Sequence, residues 1–260
     1  MPTVEGLLLD IDGVLLTSWK AIPGAIDAMA AFRAAPLPLC LITNTTTHPR
    51  TELAATLEDA GFDVEPNEIV TAVTATADHL RRTNPDAAVF LLSDGDARTD
   101  LDGVRLVDDP ADADVIALGG ASNDFTYATV NRIFGRLMEG DVALVAMHRN
   151  MFWRASGGFE LDAGAYVAGL EAATGVQAVV CGKPAPAYFE AALSVLGVEA
   201  DRAAMVGDDV VNDVDGARAA CLTGILVRTG KFRADDLDRG SPDHVVDSLA
   251  DVPALLGLSG

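Results

Sequence analysis

Basic side chains are scarce in this sequence. Lys and Arg number 18 against 39 Asp and Glu, and only Lys20, Lys183 and Lys231 are lysines. The net charge of −21 disfavours nucleic-acid and anionic-membrane partners, because counterion release would work against binding. Most of this charge is expected on solvated surface. Cysteine is also rare: Cys40, Cys181 and Cys221 are odd in number and form no CxxC pair. Neither a disulfide framework nor a zinc site follows. All three stand in apolar surroundings and are expected as buried small hydrophobes in a reducing cytoplasm. No uninterrupted apolar run reaches about 18 residues, so no membrane span is expected. The N-terminus lacks a basic n-region and a small-residue cleavage site, which argues against a secretory signal and for a cytoplasmic location. Half of the 260 residues are hydrophobic, enough to bury a core in one large domain or two modest ones.

The chain opens on a strand, Val4–Asp10, whose contiguous Leu7, Leu8 and Leu9 suit a central parallel strand covered on both faces. A helix follows Pro23-Gly24 near Ala25–Ala34, then a second strand, Leu37–Thr43. The next helix carries Leu53, Leu57 and Ala60 on one face and stops at Gly61. Later the rhythm repeats: a strand Ala178–Cys181, a helix with Phe189, Leu193 and Leu196 ending at Gly197, and strands Ala203–Gly207, Gly224–Arg228 and His244–Val246. Strands alternating with helices predict an α/β fold with a doubly wound parallel sheet. Between them a second α/β block has strands near Ala88–Leu92, Val115–Leu118 and Val142–Met147 and a helix near Tyr127–Glu139. The expected organisation is a catalytic core of residues 1–74 and 177–260 with an inserted cap of residues 75–176.

Ligands in such sheets sit at the carboxyl ends of the strands. The residues expected there are Asp10, Thr43, Lys183 and Asp208, all of types that bind phosphate or metal. In Asp10-Ile11-Asp12-Gly13, one carboxylate can attack phosphorus while the other carries a proton for the leaving group. Gly13 permits a tight turn beside them. Alone, this motif also fits an acidic turn or a calcium loop. Gly207-Asp208-Asp209, with Asp213 and Asp215 downstream, crowds carboxylates that repel by about 4 kcal/mol per pair at 4 Å and an effective dielectric of 20. A cation should offset that, and Mg²⁺ fits one or two carboxylates plus a substrate phosphate. The calcium-loop pattern is unmatched, since no Glu falls in the required place. A solvated helix start also fits Asp215 and in part Asp209. Lys183 offers a point charge for a phosphate dianion. Thr43-Asn44 could hold phosphate oxygens or serve as a turn or cap.

In this order, DIDGV, LITN, GKP and VGDDVVND resemble the four motifs of the haloacid dehalogenase superfamily. The spacing and the insertion resemble its NagD-like class with an α/β (C2-type) cap. Gly119-Gly120-Ala121, Asp124–Tyr127, Cys181–Pro184 and Leu226–Arg233 look more closely like two groups within it. These are the haloacid dehalogenase-like hydrolase domain-containing group and the phospholysine phosphohistidine inorganic pyrophosphate phosphatase group. The resemblance implies a Rossmann-like core and a Mg²⁺-dependent phosphatase acting on a small phosphorylated substrate. By that resemblance Asp10 is the nucleophile and forms an aspartyl phosphate, and Asp12 protonates the leaving group and then activates water. Thr43 and Lys183 hold the phosphoryl group with Asn44 nearby. Mg²⁺ is bound by the Asp10 carboxylate, the Asp12 carbonyl and Asp208, with Asp213 and Asp209 in support. Some members carry Ser where this chain has Asp12; the Asp retained here keeps acid–base chemistry available and weakens transfer of those relatives' substrates. The resemblance also implies a homodimer through the cap.

In the cap, the expected substrate contacts lie in Met147–Arg154 and around Asp162: His148, Arg149, Trp153 and Asp162. An arginine could meet an anionic leaving group and Trp153 could stack on a ring; a packed surface loop is the alternative. Two other functions use the same chemistry, a phosphotransferase or mutase and a non-catalytic phospho-acceptor signalling module. The latter is about half this length and lacks both the cap and DxDG. A dehalogenase is disfavoured, since carbon–halogen displacement needs neither Asp12 as acid nor a magnesium site.

Overall fold

The computed structural model describes residues 4–155 and 158–258, without the side chains of residues 153–155. The strands of its two large sheets in chain order are β1 (Gly6–Asp10), β2 (Leu39–Thr43), β3 (Ile69–Thr71), β4 (Ala88–Leu92), β5 (Arg105–Val107) and β6 (Val115–Leu118). They continue with β7 (Ala143–Ala146), β8 (Val179–Val180), β9 (Ala203–Gly207), β10 (Thr223–Val227) and β11 (His244–Val246). The chain divides into two compact units. One holds the chain up to Thr43, Arg50–Val70 and everything from Lys183 onward; the other holds Asn44–Pro49 and Thr71–Gly182.

The first unit is built on a six-stranded sheet in the order β11-β10-β9-β1-β2-β3. Its central strand β1 runs parallel to β9 on one side and β2 on the other. Every residue of β1 is buried, as an unbroken apolar strand between two helical layers requires. Leu7, Leu8 and Leu9 are fully inaccessible, and each such burial is worth roughly 1.5–3 kcal/mol. The chain runs outward through β2 and β3, then returns beyond β1 to β9. That reversal opens a crevice at the carboxyl ends of β1 and β9.

The second unit has a five-stranded sheet in the order β8-β7-β6-β4-β5, parallel throughout. Its strongly amphipathic helix Tyr127–Met138 buries Ile133 and Leu137 against one face. A hairpin, Phe152–Ala155 with Gly158–Leu161, was not evident in the sequence.

The unit boundaries fall at Val70/Thr71 and Gly182/Lys183, where the sequence suggested 74/75 and 176/177. One strand pairing and one helix cap account for the difference. Val179–Val180, expected beside the catalytic strands, pairs instead with Val145 and Ala146 of β7. Thr71 caps the helix Ala72–Thr83, accepting from the N–H of Thr74. So short an apolar strand fits either sheet, and only the available edge decides. The expected burial holds for Cys40 and Cys181, where it pushes the thiols up, to about 11 for Cys181. It fails for Cys221, which is exposed in a left-handed turn.

Candidate active site

Asp10 ends β1, and Asp208 follows the last residue of β9. The register pairs Leu9 with Val206, so the two carboxylates leave neighbouring strands side by side. Beyond Asp208 the chain enters a π-helical turn, Val210–Asp215, a form often found at functional sites. Asp209 caps it: one carboxylate oxygen accepts from the N–H groups of Val211 and Asn212, and the other from the Asn212 side chain at 2.7 Å. These bonds outweigh burial and hold its carboxyl below the usual range. Asp209 thus shapes the turn, and the turn brings Asp213 back toward the strand ends.

Lys183 lies between two of these carboxylates. Its Nζ donates to Oδ1 of Asp10 at 2.6 Å and to Oδ1 of Asp213 at 2.7 Å, all three groups being buried. Burial works against the ammonium charge, but Asp10 and Asp213 outweigh it and raise the Lys183 pKa above its ordinary value. The other oxygen of Asp213 accepts from the Asp209 N–H at 3.1 Å. Burial is the main force lifting the Asp213 carboxyl to about 6, with Lys183 opposing.

Asp208 is less well served. Its Oδ2 accepts from the Lys231 N–H at 2.6 Å, whereas its Oδ1 is buried and finds no donor among the described residues. Burial, and after it the charge of Asp10, push this carboxyl up to about 7. An orphaned buried carboxylate oxygen is costly and calls for a partner. Oxygens of Asp10, Asp208 and Asp213 lie within 4.8 Å of one another, a set of hard donors suited to Mg²⁺. Both oxygens of Asp213 are already engaged, so Asp10 and Asp208 are the residues that would hold such an ion, with Asp213 behind them.

Two glycines make room for Asp208. Gly13 has φ +92° and Gly230 φ +59°, and a Cβ on either would collide with Asp208 Oδ2. A Cβ on Gly230 would also come within 2.6 Å of the Gly13 Cα. The Thr229 hydroxyl donates to the Gly13 carbonyl and joins the two loops. Asp12 is exposed at the turn, free of the packing that fixes Asp10.

Thr43 is buried at the end of β2 and is positioned by Tyr188. The Tyr188 hydroxyl accepts from the Thr43 N–H at 2.8 Å and lies within hydrogen-bond distance of the Thr43 and Val70 carbonyls. Burial raises this phenol above its ordinary pKa.

Asp10, Thr43, Lys183, Asp208 and Asp213 thus converge in the first unit. Asn44 belongs to the second, as do the cap residues. There His148 is buried with Nε2 3.8 Å from Asp162 Oδ1, and burial lowers its pKa despite that neighbour. Asp162 caps the helix Ala163–Thr174 and accepts from the N–H groups of Ala163 and Ala121. Arg149 pairs in a fork with Glu171. The Trp153 side chain lies outside the described residues. The sequence assigns no role to Tyr188 or Lys231, whose contacts with Thr43 and Asp208 only the fold shows. Tyr188 carried no local signal, whereas Lys231 combined a rare residue type with a place just past a strand end.

A sheet with its switch point at β1 and β9, a lysine-bridged pair of aspartates and an unsatisfied third carboxylate make a candidate site suited to phosphoryl chemistry. A family model described as haloacid dehalogenase-like hydrolase matches residues 7–106, and a second, HAD-hydrolase-like, matches 180–252. The phospholysine phosphohistidine inorganic pyrophosphate phosphatase of Rattus norvegicus is 35% identical over 97% of this chain and 94% of its own. Haloacid dehalogenase-like hydrolase domain-containing protein 2 of Homo sapiens is 34% identical over 92% and 90%. Among solved structures, a p-nitrophenyl phosphatase from Archaeoglobus fulgidus superposes with a TM-score of 0.90 at 27% identity, covering 98% of this chain and all of that one. NagD from E. coli K-12 does so with 0.86 at 28%, covering 96% and 98%. The chain belongs to the haloacid dehalogenase-like hydrolases, and within them it is an enzyme of the phosphatase group.

Proposed function

We propose that this enzyme is a Mg²⁺-dependent phosphatase that hydrolyses a small phosphorylated metabolite through a phosphoryl group carried on Asp10. The observation that carries the reading is the buried set Asp10–Lys183–Asp213 with the orphaned Asp208 oxygen beside it. In the first step an Asp10 oxygen bonds to phosphorus as the bond to the leaving oxygen breaks, and Asp12 supplies the proton that oxygen needs. Asp12 is exposed on the turn directly after the nucleophile, where it can exchange protons with solvent. In the second step Asp12 takes a proton from water as the water oxygen attacks phosphorus. Inorganic phosphate leaves and Asp10 is regenerated.

Lys183 orients Asp10 and places a positive charge where the equatorial oxygens gather charge, and Thr43 and Asn44 are proposed to bind those oxygens. Held by Asp10, the Asp12 carbonyl and Asp208, the divalent ion would neutralise phosphoryl charge. Three clustered carboxylates, Asp10, Asp208 and Asp213, outnumber the one lysine among them, so a dianionic substrate needs that cation.

The relatives suggest the first substrates to try: p-nitrophenyl phosphate, inorganic pyrophosphate and phosphorylated lysine or histidine. With purified protein and Mg²⁺, turnover of p-nitrophenyl phosphate is expected. EDTA should abolish it, and Asp10→Asn should lower kcat by about 1,000-fold or more, roughly 4 kcal/mol of barrier. Persistent activity in Asp10→Asn would eliminate the nucleophile assigned here.

A further inference from the structure

We propose that Lys231 is a second phosphate-binding cation of this site, its exposed ammonium capturing the dianionic phosphoryl group before Lys183 and Asp10 act on it. The inference rests on the functional reading above and deepens it. Lys183 cannot serve alone as the attracting charge, because its ammonium is buried and bound to Asp10 and Asp213 at 2.6 and 2.7 Å. One positive charge there is shared between two negative ones. Even with a divalent ion, the positive charges there would only balance those of Asp10, Asp208 and Asp213, so an incoming dianion would face a pocket with no positive surplus.

Lys231 is placed to change that balance. Its main-chain N–H donates to Asp208 Oδ2 at 2.6 Å, which pins the residue to the rim of the carboxylate cluster. The close packing of Gly230 on Gly13 holds the segment there. The side chain, unlike that of Lys183, is exposed and makes no ion pair among the described residues. Of the charges acting on it, Asp10 is the strongest, followed by Asp208 and Asp213; they raise its pKa against partial desolvation. In a chain with 39 acidic residues and three lysines, an exposed ammonium on a residue tethered to Asp208 is available for an anion from solution. The phosphoryl dianion is the anion this pocket is otherwise built to receive.

Lys231→Met keeps the main-chain N–H on Asp208 and removes only the ammonium. With Mg²⁺ and p-nitrophenyl phosphate, KM and the inhibition constant of inorganic phosphate should both rise about tenfold, equivalent to roughly 1.4 kcal/mol of binding. The change in kcat should stay within about threefold, and Lys231→Arg should restore most of the affinity. If both constants stay within twofold of wild type, or if kcat falls with KM unchanged, the inference is wrong and Lys231 only supports Asp208. Calorimetric titration with inorganic phosphate, comparing Asp10→Asn with Asp10→Asn/Lys231→Met, reads the same difference without turnover. Should the wild type fail to turn over, the proposed function falls, while this titration still decides the role of Lys231.

Discussion

Replacing Asp208 with Asn is expected to stabilise the metal-free protein at alkaline pH, because it removes a charge that folding buries without compensation. Asp208 is 1% exposed, its Oδ1 has no donor among the described residues, and its carboxyl is pushed from 3.8 to about 7. At 1.36 kcal/mol per pKa unit, ionised Asp208 costs the folded state on the order of 4 kcal/mol. The sign follows from linkage. The folded form binds this proton more tightly than the unfolded chain, so the contribution is fully present below about pH 4 and is lost as pH rises through about 7. Asp213, raised to about 6, acts in the same direction.

In EDTA, wild type and Asp208→Asn should therefore unfold at similar temperatures near pH 4. At pH 8.5 the variant should be ahead by about 2–4 kcal/mol, on the order of 5–10 °C in Tm for a chain of this size. Mg²⁺ at 1,000 times its Kd should cancel that lead, because an ion binding only the folded wild type then adds about 4.1 kcal/mol. Thermal melts followed by circular dichroism at the two pH values give all four comparisons. Equal pH dependence of the two proteins in EDTA, or equal stabilisation of both by Mg²⁺, would refute the assignment of Asp208 as an unpaid buried charge awaiting a cation.

Tyr188→Phe deletes the hydroxyl that serves Thr43 and Val70, leaving buried backbone groups unsatisfied; a loss of about 1–3 kcal/mol in urea unfolding is expected, with a raised KM from a looser Thr43. A stability within a few tenths of a kcal/mol of wild type would show that the bonds are dispensable. Gly13→Ala forces a Cβ onto Asp208 at a positive φ, and kcat/KM should fall about 100-fold or more while the far-ultraviolet spectrum stays native. Wild-type Mg²⁺ affinity in this variant would contradict the proposed crowding.

Hydrophobic patterning and the residues at strand ends were enough to determine the α/β class, the buried first strand and the polar groups Asp10, Thr43 and Asp208. These features are local: an apolar strand must be covered, and its last residue must emerge at the carboxyl edge. The alternation could not show which sheet Val179–Val180 would join, since two apolar residues fit either one. Nor could it find Tyr188, which acts on Thr43 across 145 positions of sequence. It marked Lys183, but not that its ammonium bridges Asp10 and Asp213. Tertiary packing alone decided which carboxylates are paired, that Asp209 is spent on a helical turn, and that one oxygen of Asp208 is left waiting. The physical reason is that the energy of a charge depends on its distance to other charges and to water, and both are set only when distant segments meet.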